Sequence, residues 1–178
     1  MTANGSFEGM ADKHRRFEAL VGALMPDLYR YAYWLCREKA LAEDLVQETM
    51  LRAWRSLDSL RDEGSAKRWL ITILRRERAR YYERLRPDTV DIENVPLADE
   101  RQLDAEDNAE RDHIRRTMQM LDEDYREPLV LQVLMGYSVE EIADIMGLNK
   151  ATVLTRLFRA RKKLAGLLED PVLQAEGI

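Results

Sequence analysis

Apolar residues recur every three or four positions along most of the 178-residue chain, which is the spacing of one face of an α-helix. In the first half, helices are predicted over residues 11–24, from Leu28 through Leu35, over 40–57 and over 66–85. Pro26 and Asp27 are expected to separate the first two. Later helices are predicted near 108–121, 123–135, 138–146 and 149–168. No stretch alternates like a β-strand, so the pattern predicts an all-α fold.

The periodicity fails between residues 87 and 112, and this segment also makes the chain acidic. It holds 2 Lys and Arg against 10 Asp and Glu, a net charge of −8 within a chain of net −5. Residues 1–86 hold 17 against 13, net +4, and residues 113–178 hold 9 against 10, net −1. Such a composition is typical of a linker, although an exposed acidic loop inside one domain is the alternative. The sequence therefore predicts two small helical domains, 1–86 and 113–178, joined by an acidic linker, 87–112.

A spacing signal in the second domain predicts a helix-turn-helix. In YSVEEIADIMGLNKATVLTRLFRA, Ser138 and Glu141 can form a capping box, Gly147 suits a left-handed turn, and Asn149 can cap the following helix. The residues expected to face inward and hold the two helices together are Ile142, Ala143, Met146, Val153 and Leu157. The second helix of this motif enters the DNA major groove, whereas an ordinary helical hairpin is the alternative.

The second helix of this motif carries an unusual charge. The stretch NKATVLTRLFRARKKL holds six basic residues and no acidic one. Positive charge without negative charge is what contact with DNA phosphates requires, so DNA binding is favoured over a merely solvated face. Lys150, Thr152 and Thr155 are predicted nearest the groove, with Arg156, Arg159 and Lys163 near phosphates.

Two helices of the first domain also present polar faces. AKRWLITILRRERARYYERLR, residues 66–86, interleaves eight basic residues with Trp69, Tyr81 and Tyr82. That mixture suits single-stranded DNA, whose bases stack on rings while cations hold the backbone. The alternative is an amphipathic helix whose aromatic residues belong to the core. The helix at 40–57 leaves several polar side chains opposite its apolar stripe, which composition alone would assign to solvent: Asp44, Gln47, Glu48 and Arg52.

Catalysis and cofactors are not expected. Cys36 is the lone cysteine and the chain has two histidines, which provides no disulfide framework or metal set. Neither a nucleophile paired with a base nor a Gly-rich phosphate loop is visible. The N-terminus lacks a signal-peptide pattern and no apolar run is long enough for a membrane span, so a cytoplasmic, non-enzymatic protein without cofactor is predicted.

These motifs together resemble the extracytoplasmic function (ECF) sigma factors of the sigma-70 family, over roughly residues 12–168. DLVQETMLRAWRSL resembles the polymerase-binding helix of that family, and AKRWLITILRRERARYYERLR resembles the helix that handles the −10 promoter element. MGYSVEEIADIMGLNKATVLTRLFRARKKL resembles the domain that reads the −35 element. The resemblance implies a factor that binds core RNA polymerase, recognises and melts promoter DNA, and is held by an anti-sigma factor.

The resemblance also implies roles for individual residues. Contact with the polymerase clamp helices would involve Asp44, Leu45, Gln47, Glu48 and Arg52. The loop from Leu60 to Ser65 would capture a flipped base, and the residues near the −10 element would be Asp62, Gly64, Lys67, Arg75, Arg76, Arg80 and Tyr81. The residues near the −35 element would be Asn149, Lys150, Thr152, Leu154, Thr155, Arg156, Phe158 and Arg159.

Two positions depart from the family pattern. Arg76 stands where relatives often have Asn, and Leu154 stands where they often have Lys or Arg. A different promoter preference is therefore expected. Two alternatives remain, a stand-alone helix-turn-helix regulator that dimerises on a palindrome and a sigma-like decoy that binds an anti-sigma factor but not DNA.

Overall fold

The computed structural model describes residues 3–85 and 109–169, and all regular secondary structure in these ranges is helical. The chain divides into two compact units, Met1–Pro96 and Leu97–Ile178. The first contains α1 (Ala3–Cys36), α2 (Lys39–Ser56) and α3 (Ala66–Leu85). The second contains α4 (Ala109–Gln119), α5 (Glu123–Val133), α6 (Val139–Met146) and α7 (Lys150–Leu168). The predicted all-α fold class is confirmed.

The core of the first unit lies where α1 and α3 pack against α2. The second half of α1 buries Leu28, Tyr31 and Leu35 there, at the predicted helical spacing. The one polar side chain that α2 buries among the described residues is Thr49, whose Oγ1 donates to the carbonyl of Leu45 at 2.7 Å. A buried hydroxyl with a partner avoids the cost of desolvation, so α2 stays intact across the core.

The predicted break at Pro26 is wrong, because α1 continues through it from Ala3 to Cys36. Proline removes one backbone donor and crowds the preceding turn, which favours a break when nothing else acts. Here both sides of the proline are held by packing. Leu20 and Leu24 contact a cluster around Leu57, while Leu28 on the other side is fully buried. Tertiary contacts therefore override the local preference.

The predicted polar break between α2 and α3 is ordered into two short 3-10 turns, Leu57–Ser59 and Glu63–Ser65. Leu57 and Leu60 are buried with Ala66, which fastens both ends of the segment to the core. Trp69 packs on this cluster but is only half-buried. The first half of α1 adds ion pairs to the turns, Lys13 to Asp58 at 2.6 Å and Arg16 to Glu63 at 3.3 Å.

The helix-turn-helix is confirmed in α6 and α7, down to its caps. The Ser138 hydroxyl accepts from the Glu141 amide while the Glu141 carboxylate accepts from the Ser138 amide, forming the capping box. Gly147 ends α6 with φ of 65°, a conformation that only glycine adopts without strain. The Asn149 side chain accepts from the Thr152 amide at 2.7 Å and so begins α7.

Packing in the second unit follows the predicted pattern with one exchange. Ile142, Val153 and Leu157 are buried as expected. Met146 was predicted to face inward but is half-buried, and Ile145 lies in the core instead. Since α6 has only eight residues, a rotation of a fraction of a turn is enough to exchange two neighbours.

The turn between α4 and α5 rests on a buried charge that the sequence pattern did not reveal. Arg126 is 4% exposed, and its Nη1 donates to the carbonyls of Gln119 and Leu121 at 3.2 and 3.0 Å. The last carbonyls of a helix have no partner within the helix, so the guanidinium stabilises the end of α4. α4 begins at Ala109, within the last residues of the predicted linker. The rest of that acidic segment lies outside the described residues.

Candidate nucleic-acid interfaces

The outer face of α7 combines polar and apolar side chains. Lys150, Thr155 and Arg159 are exposed, and Thr152 is half-buried beside the Asn149 cap. Two large apolar residues also face outward, Leu154, which is 49% exposed, and Phe158, which is 67% exposed. Because they are four residues apart they lie on the same side of the helix, where either can contact base edges such as the thymine methyl.

Three of the six basic residues of α7 form ion pairs inside the second unit, which the sequence did not indicate. Lys150 binds Glu140 of α6, Arg156 lies 3.0 Å from Asp124, and Lys163 lies 2.6 Å from Asp122. Arg161 donates to Gln132, and the Lys163 ammonium lies 4.7 Å from the Tyr125 ring centre. Arg159 and Lys162 have no ion pair within the described part of the chain.

These ion pairs shift the protonation equilibria of their members. The hydrogen bond from Lys163 lowers the pKa of Asp122, and the same contact raises the pKa of Lys163. The hydrogen bond from Lys150 lowers the pKa of Glu140. All three groups are therefore fully charged at neutral pH, so a phosphate would have to displace Asp122 or Glu140 in order to pair with Lys163 or Lys150.

A cleft of about 470 Å³ lies at the N-terminal end of α7. Its wall includes Asn149, Thr152, Thr155 and Arg159 together with the Arg156–Asp124 pair. Thr152 and Thr155, which are predicted to lie near the groove, therefore line one surface with two arginines that are predicted to lie near phosphates, Arg156 and Arg159.

The basic helix α3 places its predicted site residues along a partly exposed surface. Arg75 is half-buried and Arg76 is exposed, whereas Lys67 is tied to Asp27 of α1 at 2.6 Å. Tyr81 and Tyr82 are both half-buried, and their rings meet edge to face at 5.4 Å. Neither tyrosine is a core residue, so both rings leave some surface on which a base could stack.

The loop before α3 has a defined local geometry. Asp62 and Gly64 are exposed, and the Asp62 carboxylate accepts from the Gly64 amide at 3.0 Å. A β-carbon at Gly64 would lie 3.3 Å from that carboxylate oxygen, so a larger side chain would press on the turn.

The acidic face of α2 is only partly as predicted. Asp44 and Gln47 are exposed and Glu48 is half-buried, so this face is accessible. The assignment of Leu45 to a partner surface is wrong, because Leu45 is 4% exposed and belongs to the core. Leu51, which the sequence analysis missed, is 54% exposed. It follows Asp44 by seven positions and so shares its face, a spacing that was readable from the sequence.

Two further residues were missed where α2 meets α3. Glu77 is 3% exposed, and its Oε1 lies 2.5 Å from both Arg52 Nε and Arg80 Nη1. Arg52 also lies 3.3 Å from Glu48, so it is half-buried in an ion-pair network and not free on the outer face. Arg55 is exposed next to this network.

Comparison with known families agrees with the division of the chain into two units. The profile of Sigma-70 region 2 matches residues 20–87, and that of Sigma-70 region 4 matches residues 111–164. The ECF RNA polymerase sigma factor EcfG of Rhodopseudomonas palustris (strain TIE-1) is 34% identical over 147 residues, covering 82% of this chain and 81% of the relative. ECF sigma factor SigX of Bacillus subtilis (strain 168) is 25% identical over 162 residues, covering 86% and 84%.

Solved structures show the same likeness. The sigma factor RpoE in complex with the anti-sigma factor NepR, from Bartonella quintana, has a TM-score of 0.67 and 34% identity, covering 88% of this chain and 99% of that one. CnrH in complex with the cytosolic domain of CnrY has a TM-score of 0.62 and 27% identity, covering 88% and 89%.

The two helical units and the helix-turn-helix with its basic second helix are typical of DNA-binding transcription proteins. The matched regions and relatives narrow this class, and the chain belongs to the ECF sigma factors of the sigma-70 family. None of the helices in the described ranges is both long and apolar enough to cross a membrane.

Proposed function

We propose that this sigma factor binds core RNA polymerase through the exposed face of α2 and promoter DNA through α3 and α7. The observation that carries the proposal is the outward face of α7, where Leu154, Thr155, Phe158 and Arg159 are accessible on a capped helix anchored by buried Leu157. This arrangement supports reading of the −35 element in the major groove.

The first unit would act on the −10 element. Lys67, Arg75, Arg76, Arg80 and Tyr81 would hold the melted strand, and the turn with Asp62 and Gly64 would receive a flipped base. Extruding a base costs a few kcal/mol, which contacts in a pocket offset. The basic side chains of α3 and the partly open tyrosine rings support this role.

The polymerase surface would comprise Asp44, Gln47 and Glu48, with Leu51 added by the structure and Leu45 left out. Leu51 would add apolar area to this surface, since the buried centre of an interface is more apolar than its rim. The factor would work in the cytoplasm with the polymerase and would itself catalyse no reaction.

Transcription in vitro with purified core polymerase and random promoter fragments tests this proposal. Initiation should require the chain, and the double variant Asp44→Ala, Gln47→Ala should lose most polymerase binding and transcription. Glu83→Ala, an exposed acid near the end of α3 and outside the proposed face of α2, is the control and should behave like the wild type. Silence with every template would favour the decoy, and binding to a palindrome without polymerase would favour the stand-alone regulator.

We also propose an anti-sigma factor as a regulatory partner. The support is that two structural relatives of this chain were solved with such partners bound. The chain isolated from unstimulated cells of its own source should then migrate on size exclusion as a complex with a second polypeptide. Recovery as a free monomer under all conditions would contradict this.

A further inference from the structure

The first half of α1 lies against the turn that joins α2 to α3, residues 57–65. Phe17 packs on the buried cluster around Leu57, and its ring meets that of Trp54, near the end of α2, edge to face at 5.2 Å. These contacts are apolar and come from three helices. They fix the first half of α1 beside the turn, so that its charged side chains can reach the turn.

Two basic side chains of α1 do reach it. The Lys13 ammonium lies 2.6 Å from the Asp58 carboxylate, at the start of the turn. The Arg16 Nε lies 3.3 Å from the Glu63 carboxylate, in the exposed second part of the turn. Among the described residues, this second contact is the one ion pair or hydrogen bond that joins residues 61–64 to an α-helix other than α3. Arg16 is therefore the side chain through which α1 holds the exposed part of the turn.

Glu63 stands between the two residues that are proposed to receive a flipped base, Asp62 and Gly64. The Asp62 carboxylate accepts from the Gly64 amide at 3.0 Å, and the Asp62 carbonyl accepts from the Ser65 amide at 3.1 Å. These hydrogen bonds are local, so they set the shape of the turn but not its place relative to α1. The Arg16–Glu63 pair sets that place. A turn that is held in place before binding loses less conformational freedom and discriminates more sharply between bases.

The family comparison does not cover the two basic residues. The profile of Sigma-70 region 2 begins at residue 20, after both Lys13 and Arg16. None of the residues proposed to bind polymerase or DNA lies in α1. The contact between α1 and the turn is thus an arrangement of this chain to which neither the motifs nor the comparison assigns a role.

We propose that Arg16 is a positioning residue for the base-receiving turn, and that Lys13 supports it at the start of the turn. By holding Glu63, Arg16 keeps the turn in one position relative to α1, so that the turn discriminates between bases at the flipped position. This inference rests on the proposed function of the turn. An exposed ion pair contributes little to the stability of a protein, so the effect is expected in base selectivity and not in the stability of the unit.

Amide hydrogen exchange in the free chain, measured by NMR, tests the positioning without polymerase or DNA. In Arg16→Gln the amides of Gly64 and Ser65 should exchange about two- to fivefold faster, the usual effect of losing an exposed ion pair. Arg15→Gln is the matched control, because Arg15 pairs with Asp12 of its own helix at 3.3 Å, and it should leave both rates unchanged. Unchanged rates in Arg16→Gln would overturn the positioning role.

Transcription in vitro with core polymerase tests the effect on base selectivity, using templates randomised across the −10 element and sequencing of the barcoded RNAs. Arg16→Gln should weaken the base preference at one position about two- to fivefold and leave the other positions unchanged. Arg16→Lys should keep most of the preference, and Arg15→Gln all of it. A merely structural role would instead lower the yield from all templates alike, together with the urea midpoint of tryptophan fluorescence, and that result would contradict the proposal.

A double variant separates positioning from direct contact of Arg16 with DNA. If Arg16 acts through Glu63, Glu63→Gln should weaken the preference at the same position, and adding Arg16→Gln should cause no further loss. If Arg16 binds DNA itself, Glu63→Gln should leave the preference intact, and the second change should then reduce it. That outcome would overturn the positioning role.

The two kinds of measurement fail separately. If the wild-type chain starts no transcription, the proposed function fails, while the exchange rates still decide whether Arg16 holds the turn. Transcription by Arg16→Gln with the base preferences of the wild type would contradict only the role of Arg16.

Discussion

The basic helices α3 and α7 balance their positive charge in different ways. In α3 the compensating carboxylate of Glu77 belongs to the helix itself and is buried against α2. In α7, which contains no acidic residue, the partners Asp122, Asp124 and Glu140 come from the preceding turn and helices and are all exposed. A buried pair is part of the architecture, whereas an exposed pair contributes little to stability and can exchange its acid for a phosphate.

The difference extends to what anchors each helix. The buried residues of α7 are all apolar, Val153, Leu157 and Ala160, and its ion pairs lie at the surface. α3 combines apolar contacts of Leu70 and Leu74 with the Glu77 network. α7 is therefore anchored by its buried apolar face. In α3, which is proposed to hold the melted strand, a buried ion-pair network is part of the contact with α2.

The largest expected effect is the loss of the apolar anchor of α7. Leu157→Ala should destabilise the second unit by about 2–5 kcal/mol, because it opens a cavity at a site that is 1% exposed. Urea unfolding followed by circular dichroism and by duplex DNA binding measures this. The three tryptophans all lie in residues 1–96, so their fluorescence transition should stay unchanged.

Leu154→Ala is the matched control, since it makes the same change on the exposed side of the same helix. Its stability should stay within about 0.5 kcal/mol of the wild type. Equal destabilisation by both variants would mean that α7 is not anchored by its inner face.

A smaller loss is expected from the buried carboxylate of α3. Glu77→Ala should cost roughly 2–3 kcal/mol, because it leaves Arg52 and Arg80 close together without their shared partner. Tryptophan fluorescence during urea unfolding reports the first unit. Glu83→Ala, exposed near the end of the same helix, should change stability by less than about 0.5 kcal/mol. A Glu77→Ala variant as stable as this control would remove the contrast between α3 and α7.

The smallest effect concerns the exposed acids around α7. The triple variant Asp122→Asn, Asp124→Asn, Glu140→Gln should bind duplex DNA roughly three- to tenfold more tightly at low salt, since it frees three cations for phosphates. Fluorescence anisotropy over a range of salt concentrations measures both the affinity and its salt dependence. Glu169→Gln, an exposed acid at the end of α7 with no ion pair among the described residues, should change affinity less than twofold. Unchanged affinity in the triple variant would show that these pairs do not compete with DNA.

Much of the candidate site was predictable from local signals. The caps at Ser138, Gly147 and Asn149 depend on residues a few positions apart, so they could be read directly and are confirmed. The outward position of Leu154 and Phe158 follows from the buried stripe of the same helix. Leu45 was misassigned because matching a motif does not reveal which of its residues face the core. The helical period of α2 did place Leu45 on the apolar, inward face.

The sequence by itself determined the helices, the division into two units and the helix-turn-helix, because periodicity and capping act within a few residues along the chain. Tertiary structure alone decided that α1 continues through Pro26, that Glu77 joins Arg52 to Arg80, and that acids from α6 and the turn before α5 reach the cations of α7. Each of these depends on residues from different helices meeting in space, where packing and desolvation outweigh local preference.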